Sequence, residues 1–387
     1  MTSKHTQNQS IESIEQPSNA PTSQPKPLIL FTGGGTGGHV YPNLALVPEF
    51  RKRGFDIAYA GGEGNTIERR LARDDGIKYY ALPTIKLIRS ISVDAVKNNL
   101  KIPSTLKKAV ETASRIIEKI KPDCVFSKGG FVSLPVVLAA CKKHIPVFAH
   151  ESDLTLGLAN KIAKFKGATI LKANPKSKFD GILVGMPLRD TLTYHDKTSA
   201  EKKLGINNIF KKPVLLVLGG SSGASAINDA IKANLKNLTA KYYVLHVTGK
   251  NKSERCKACD YLQFEYADDI ALFYTVCDIV LSRAGATSVF EISAINKRAV
   301  FVPLPKGASR GDQIFNAALA NEYGATVLRQ DSSFFDNLPR SIETALQNPP
   351  MKPINSDANG KIADIVCAKL RRGEKCIDKK PSPNGLR

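Results

Sequence analysis

The 387-residue chain contains no tryptophan, only 7% aromatic residues, six histidines and three methionines. So few aromatics exclude the ribbon of basic and stacking side chains by which many proteins hold single-stranded nucleic acid. No apolar run approaches the roughly 18 residues of a membrane-spanning helix. The N-terminus also lacks the apolar core of a secretory signal. An Asp-x-Asp pair for a metal–nucleotide complex occurs nowhere. Acidic residues are scarce: 56 Lys and Arg face 35 Asp and Glu, leaving +21. Such an excess points to anionic partners, whether nucleic acid, anionic lipid or phosphorylated substrates. Nucleic acid is the least supported of these, because no base-reading module is visible. Seven cysteines without a signal peptide point to a reducing cytoplasm. Cys256-x-x-Cys259 lacks the second pair of a zinc site. No metal and no cofactor are expected.

What is present is an alternation of strands and helices in two sets. A chain of this length exceeds one core, so two domains are expected. Apolar runs at 27–31, 55–61, 123–130, 146–152 and 168–173 read as strands, with helical spacing over 40–53 and 135–144. The arrangement restarts at 211–231 and continues through 242–250, 278–286 and 298–305. Strands alternating with helices build parallel sheets. The expected organisation is a disordered leader (1–26), two Rossmann-like halves (27–186 and 187–350), a C-terminal helix (351–372) packing back on the first half, and a disordered tail (373–387).

Each half opens on a glycine loop. Gly33-x-Gly35-x-x-Gly38 lets backbone amides approach a phosphate, and the following helix offers its positive end. His39 and Val40 stand where a Walker loop needs lysine and a hydroxyl, so simple P-loop chemistry is excluded. Gly219-Gly220-Ser221-Ser222-Gly223 contains the G-x-S-x-G of a hydrolase elbow, but the only later histidine is His246 on the next strand. Ser221 reads better as a hydroxyl donor to a phosphate. In SRAGATSVFEI (282–292), Arg283 can meet a diphosphate, and the carboxylate of Glu291 can accept both hydroxyls of a ribose.

FTGGGTGGHVYPNLAL (31–46), SKGGFVSLPVVLAA (127–140), HESDLTLGLANKIA (150–163), LGGSSGASAIN (218–228), SRAGATSVFEI (282–292) and ASRGDQIFNA (308–317) occur in that order. Together they closely resemble the MurG family of glycosyltransferase family 28, whose members make peptidoglycan precursors. The resemblance implies an α/β GT-B architecture, two Rossmann-like parallel-sheet domains facing across a cleft. It implies inverting transfer of GlcNAc from UDP-GlcNAc to the C4 hydroxyl of MurNAc in lipid I, giving lipid II and UDP. It also implies donor contacts at Arg189, Ser221, Ala267, Arg283, Thr287, Glu291, Asp312, Gln313 and Asn316. The acceptor diphosphate falls to Gly34, Gly35, Thr36, Gly37, Gly38, Gly129, Gly130 and Phe131. His39 is the leading general base, since imidazole titrates near neutrality, with Glu151 and Asp153 as rivals. Many members carry an amide where this chain has Asp153.

The charge excess then has a location. Nine Lys and Arg lie between Lys86 and Lys121, against three acids, with Leu87, Ile88, Ile91 and Val93 among them. Basic residues near an anionic leaflet contribute about 1 kcal/mol each. The segment is expected to dock the first half on the cytoplasmic face of the cell membrane, as a peripheral protein. A related glycolipid glycosyltransferase or a UDP-GlcNAc 2-epimerase is the competing enzyme, and a nucleotide-binding module the non-enzymatic alternative.

Overall fold

The computed structural model describes residues 26–83, 102–194, 196–206, 212–220, 223–253, 260–306, 311–354 and 357–373. The expected leader (up to residue 25), the tail beyond Gly373, Ser221, the Cys256/Cys259 pair and the apolar part of the membrane segment lie outside the described residues.

The first half contains β1 (Leu28–Thr32), α1 (Gly37–Ala45), α2 (Val47–Lys52), β2 (Asp56–Gly62), α3 (Ile67–Asp74), β3 (Lys78–Leu82), α4 (Ile102–Ile120), β4 (Cys124–Ser127), α5 (Leu134–Lys142), β5 (Val147–Glu151), α6 (Leu158–Phe165), β6 (Thr169–Lys172) and β7 (Ile182–Leu183). The second contains α7 (Lys197–Lys203), β8 (Val214–Leu218), α8 (Ser225–Ala233), α9 (Leu235–Lys241), β9 (Tyr243–Val247), β10 (Tyr261–Phe264), α10 (Ile270–Val276), β11 (Ile279–Arg283), α11 (Ala286–Ala294), β12 (Arg298–Val302), α12 (Asp312–Glu322), β13 (Thr326–Val327) and α13 (Phe334–Gln347), followed by α14 (Ala358–Arg371).

All strands pair in parallel, in the orders β3-β2-β1-β4-β5-β6-β7 and β10-β9-β8-β11-β12-β13. Both sheets therefore reverse direction once, between β1 and β4 and between β8 and β11. In open parallel sheets, ligands bind at the carboxyl ends of the strands at such a reversal. The glycine loop after β1 and Lys128-Gly129-Gly130 after β4 meet at the first switch point. Gly219 and Gly220 after β8 and Ala284-Gly285 after β11 meet at the second.

The central strands are buried and largely apolar because both faces are covered, with polar residues such as Thr32, Ser127, Glu151 and Arg283 at their carboxyl ends. In β1, Leu30 faces the helices α4 and α5, while Ile29 and Phe31 pack with Phe50, Phe126 and the α14 side chains Ile362 and Val366. The helical run 40–53 is two helices that meet at Leu46. Pro48 at the start of α2 has no amide hydrogen to give to Leu44, so the ladder breaks there. In α4, Ala109, Ala113 and Ile117 form the buried stripe, and Lys107, Lys108, Arg115 and Lys119 stay exposed. No helix among the described residues is long and apolar enough to cross a membrane.

The halves are joined by a small shared core of Ala173, Met186, Phe290 and Leu319. Asn359, in the first turn of α14, clamps the connection. Its amide donates to the carbonyls of Ala45 (3.1 Å) and Leu188 (2.8 Å), and its oxygen accepts from the Leu188 amide (3.3 Å).

Candidate active site

Two cavities lie between the halves and share a wall of Gly38, Thr287 and Ser288. Gly38 opens α1, and Thr287 and Ser288 open α11. Neither helix has a side-chain cap. Two positive helix ends from opposite halves thus converge on one place, where an anionic group is stabilised by amide donors and both macrodipoles.

The first cavity is walled by Leu218, Val247, Ala267 and Ile270, with Tyr41, Tyr266, Tyr274, Arg189 and Glu291 at its polar side. Glu291 is 6% exposed. Burial pushes its carboxyl above the ordinary range, and the Arg189 guanidinium pulls it back down. One carboxylate oxygen accepts from Arg189 (3.1 Å) and the other from the Tyr274 hydroxyl (3.2 Å). The guanidinium also lies 4.8 Å over the Tyr41 ring. Tyr41 and Tyr266 share a 2.8 Å hydrogen bond across the cleft. The ribose-type carboxylate and the phosphate-type arginine are therefore paired with each other.

The second cavity holds His39, Lys128, Glu151, Ser152, Asp153, Asp312, Gln313 and Asn316. His39 Nδ1 stands 3.2 Å from the Lys128 carbonyl. A carbonyl only accepts, so Nδ1 is the donor in this contact. Gly130, at φ +83°, lets this turn close: a Cβ there would stand 3.3 Å from His39 Cδ2. Glu151 is committed to its own loop. One oxygen accepts from the amides of Ser152 (3.0 Å) and Asp153 (3.2 Å), the other from Gly157 (2.9 Å) and Asn160 (3.0 Å). Asp153 is bridged to the other half by Asn316 (3.3 Å), which also donates to the Ala284 carbonyl (3.2 Å). Burial, aided by Glu151 and Asp312, raises the Asp153 carboxyl to about 6. Gln313 accepts from the Leu304 amide (3.1 Å).

Several expectations change. Arg283 lines neither cavity: it is 8% exposed and donates to the carbonyls of Val302 (3.2 Å) and Pro303 (3.5 Å) at the end of the neighbouring strand. The first loop is turned partly inward. Buried Glu68 accepts from the Gly35 amide (3.4 Å) and Gly62 amide (3.2 Å), and a Cβ on Gly34 would stand 2.5 Å from its oxygen. Gly34, Gly35, Thr36, Gly129, Gly130 and Phe131 line neither cavity, whereas Gly37 and Gly38 do. Sequence reasoning missed Tyr41, Tyr266, Tyr274, Lys128, Ser152, Ser288 and Glu68 as parts of this region. Tyr41 and Lys128 stood inside the quoted motifs but carried no local signal of their own.

Residues 29–171 match the glycosyltransferase family 28 N-terminal domain, and residues 214–366 its C-terminal domain. The chain belongs to glycosyltransferase family 28. Among its relatives is a Clostridium botulinum (strain Kyoto / Type A2) protein named UDP-N-acetylglucosamine--N-acetylmuramyl-(pentapeptide) pyrophosphoryl-undecaprenol N-acetylglucosamine transferase. It is 41% identical over 83% of this chain and 91% of that protein. A Clostridium perfringens (strain 13 / Type A) protein of the same name is 40% identical over 87% of this chain and 95% of its own length. A crystal structure of Acinetobacter baumannii MurG has the same fold, with a TM-score of 0.64 at 24% identity, covering 90% of this chain and all of that one. In this family 28 chain, the sheet reversals and the paired helix ends lie within the matched domains, as do all residues lining the two cavities except Arg189.

Proposed function

We propose that this enzyme transfers GlcNAc from UDP-GlcNAc to the C4 hydroxyl of MurNAc in lipid I, releasing lipid II and UDP. The names of its relatives support the substrates. The observation that carries the chemistry is the wall shared by the two cavities, with a helix N-terminus from each half aimed at it.

The uracil edge lies against Ala267 among the apolar residues of the first cavity, and the ribose hydroxyls take Glu291. Arg189 turns from Glu291 to the diphosphate, with Thr287, Ser288 and, in the expected role, Ser221. The GlcNAc hydroxyls face Asp312, Gln313 and Asn316. The incoming hydroxyl reaches C1 from the His39 side as Nε2 takes its proton. The new C1–O bond forms while the bond to the β-phosphate breaks, and the electron pair leaves with UDP. Charge developing on that phosphate falls between the two helix ends, where preorganised amides stabilise it without a bridging metal. Glu151 shapes the loop that presents Asp153, and His39 is the base in this reading. Gly37, Gly38 and the Gly129-Gly130 turn face the acceptor diphosphate. The basic segment from Lys86 to Lys121 docks the protein peripherally on the anionic cytoplasmic leaflet.

Purified protein given radiolabelled UDP-GlcNAc and a lipid I analogue is expected to place label in the lipid fraction. Label recovered as free or epimerised sugar nucleotide would reject the proposal.

A further inference from the structure

Tyr41 reaches out of the first half into a cavity walled mainly by the second. Its ring is fixed from two sides. A Cβ on Gly37 would stand 3.0 Å from Tyr41 Cε2, so the ring lies directly over the glycine that opens α1. The Arg189 guanidinium, on the connection between the halves, stands 4.8 Å from the ring centroid. The Tyr41 hydroxyl is thereby held at one place, 2.8 Å from the hydroxyl of Tyr266, two residues beyond β10. Burial, and with it the bond to Tyr266, raises the Tyr41 phenol above its ordinary range, so it keeps its proton at neutral pH. Phenylalanine would fill the same space at either position. What the two hydroxyls add is a link across the cleft.

We propose that the Tyr41–Tyr266 hydrogen bond is a latch between the halves that retains the nucleotide and sets how fast UDP leaves. The proposal rests on the donor assignment made above. Both tyrosines act as positioning residues through their hydroxyls. Tyr41 stands one turn into α1, whose first residues, Gly37 and Gly38, line the donor cavity. The end of α1 already lies against the start of α11: a Cβ on Gly38 would stand 3.7 Å from Thr287 Oγ1. Made, the bond keeps the two positive helix ends together on the diphosphate. Broken, it lets α1 withdraw, and the diphosphate keeps only the end of α11. The latch closes after the nucleotide has entered, so dissociation carries its effect and association does not.

The test is phosphorus-31 NMR line-shape analysis of UDP titrated into the protein, which gives both the dissociation rate and Kd. Tyr41→Phe, Tyr266→Phe and the double variant remove hydroxyls and keep the rings. Each single variant is expected to release UDP about 2- to 10-fold faster, the range a neutral hydrogen bond spans. Kd should rise by the same factor, leaving the association rate in place. One bond is lost in either single variant, so the double variant should release UDP no faster than they do. Dissociation unchanged in folded Y41F and Y266F would overturn the proposal. So would effects that multiply in the double variant, because each hydroxyl would then act on the nucleotide by itself. UDP binding needs no acceptor, so absence of lipid II would reject the transfer reaction while the latch is still decided. A wild type that does not bind UDP would reject the donor assignment and the latch with it.

Discussion

Replacing Glu291 by glutamine probes the link between the pairing seen in the cleft and donor binding. In the free enzyme the Glu291 carboxylate holds Arg189 and the Tyr274 hydroxyl, at 3.1 and 3.2 Å. On donor binding it is proposed to accept both ribose hydroxyls. An amide keeps the shape but accepts through one atom only, so one charge-assisted hydrogen bond is lost, worth about 1.5–3 kcal/mol. The Arg189–Glu291 contact opposes this. With side-chain exposures of 29% and 8%, it is half-buried, and breaking it before the ribose can enter costs the wild type about 1 kcal/mol. Glutamine relieves that cost. The net expectation is a rise of roughly 2- to 30-fold in the KM for UDP-GlcNAc. Ribose contacts are the same in ground and transition states, so kcat should change by less than about threefold. Initial rates against UDP-GlcNAc at saturating acceptor, with calorimetric binding of UDP, measure both quantities. An unchanged KM with a large fall in kcat would refute the ribose assignment. A KM below wild type would make the arginine pairing, rather than the ribose, the dominant partner of Glu291.

Asp153→Asn should stabilise the protein at neutral pH. The folded carboxyl titrates near 6 against an ordinary 3.8, so the folded state binds this proton more tightly than the unfolded chain. Its ionisation penalises folding increasingly as pH rises from about 3.8 to 6, by up to about 3 kcal/mol above that window. Thermal melts should therefore show the asparagine variant gaining stability at pH 7.5 and losing that gain by pH 4, and an equal gain at both pH values would contradict the assignment. Asn359→Ala removes three hydrogen bonds at the interdomain connection and should cost about 2–3 kcal/mol in urea unfolding. A loss under 0.5 kcal/mol would show that α14 docks by its apolar face alone.

The two parallel-sheet halves were legible because apolar strands alternate with helices, and glycine loops after them mark the carboxyl ends of such a sheet. Pairings across the cleft were not, because Arg189 and Glu291 stand 102 residues apart and no periodicity links them. The partners of Arg283 were not legible for a related reason: the carbonyls it donates to belong to residues 19 and 20 positions later, in and just after the neighbouring strand. Glu151 was weighed as a base from its place at a strand end, yet four donors within ten residues consume both its oxygens. Glu68 shows the same limit. Its sequence context is a charged helix, and only the fold brings it beneath the glycine loop.

The central claim is direct displacement at C1 of the donor sugar by the acceptor hydroxyl. Proton NMR of the purified enzyme with UDP-GlcNAc and a water-soluble lipid I analogue follows both anomeric signals over time. The account predicts that UDP and a β-(1→4)-linked disaccharide appear together in equal amounts. An α-linked product, or UDP release with no disaccharide, would contradict it.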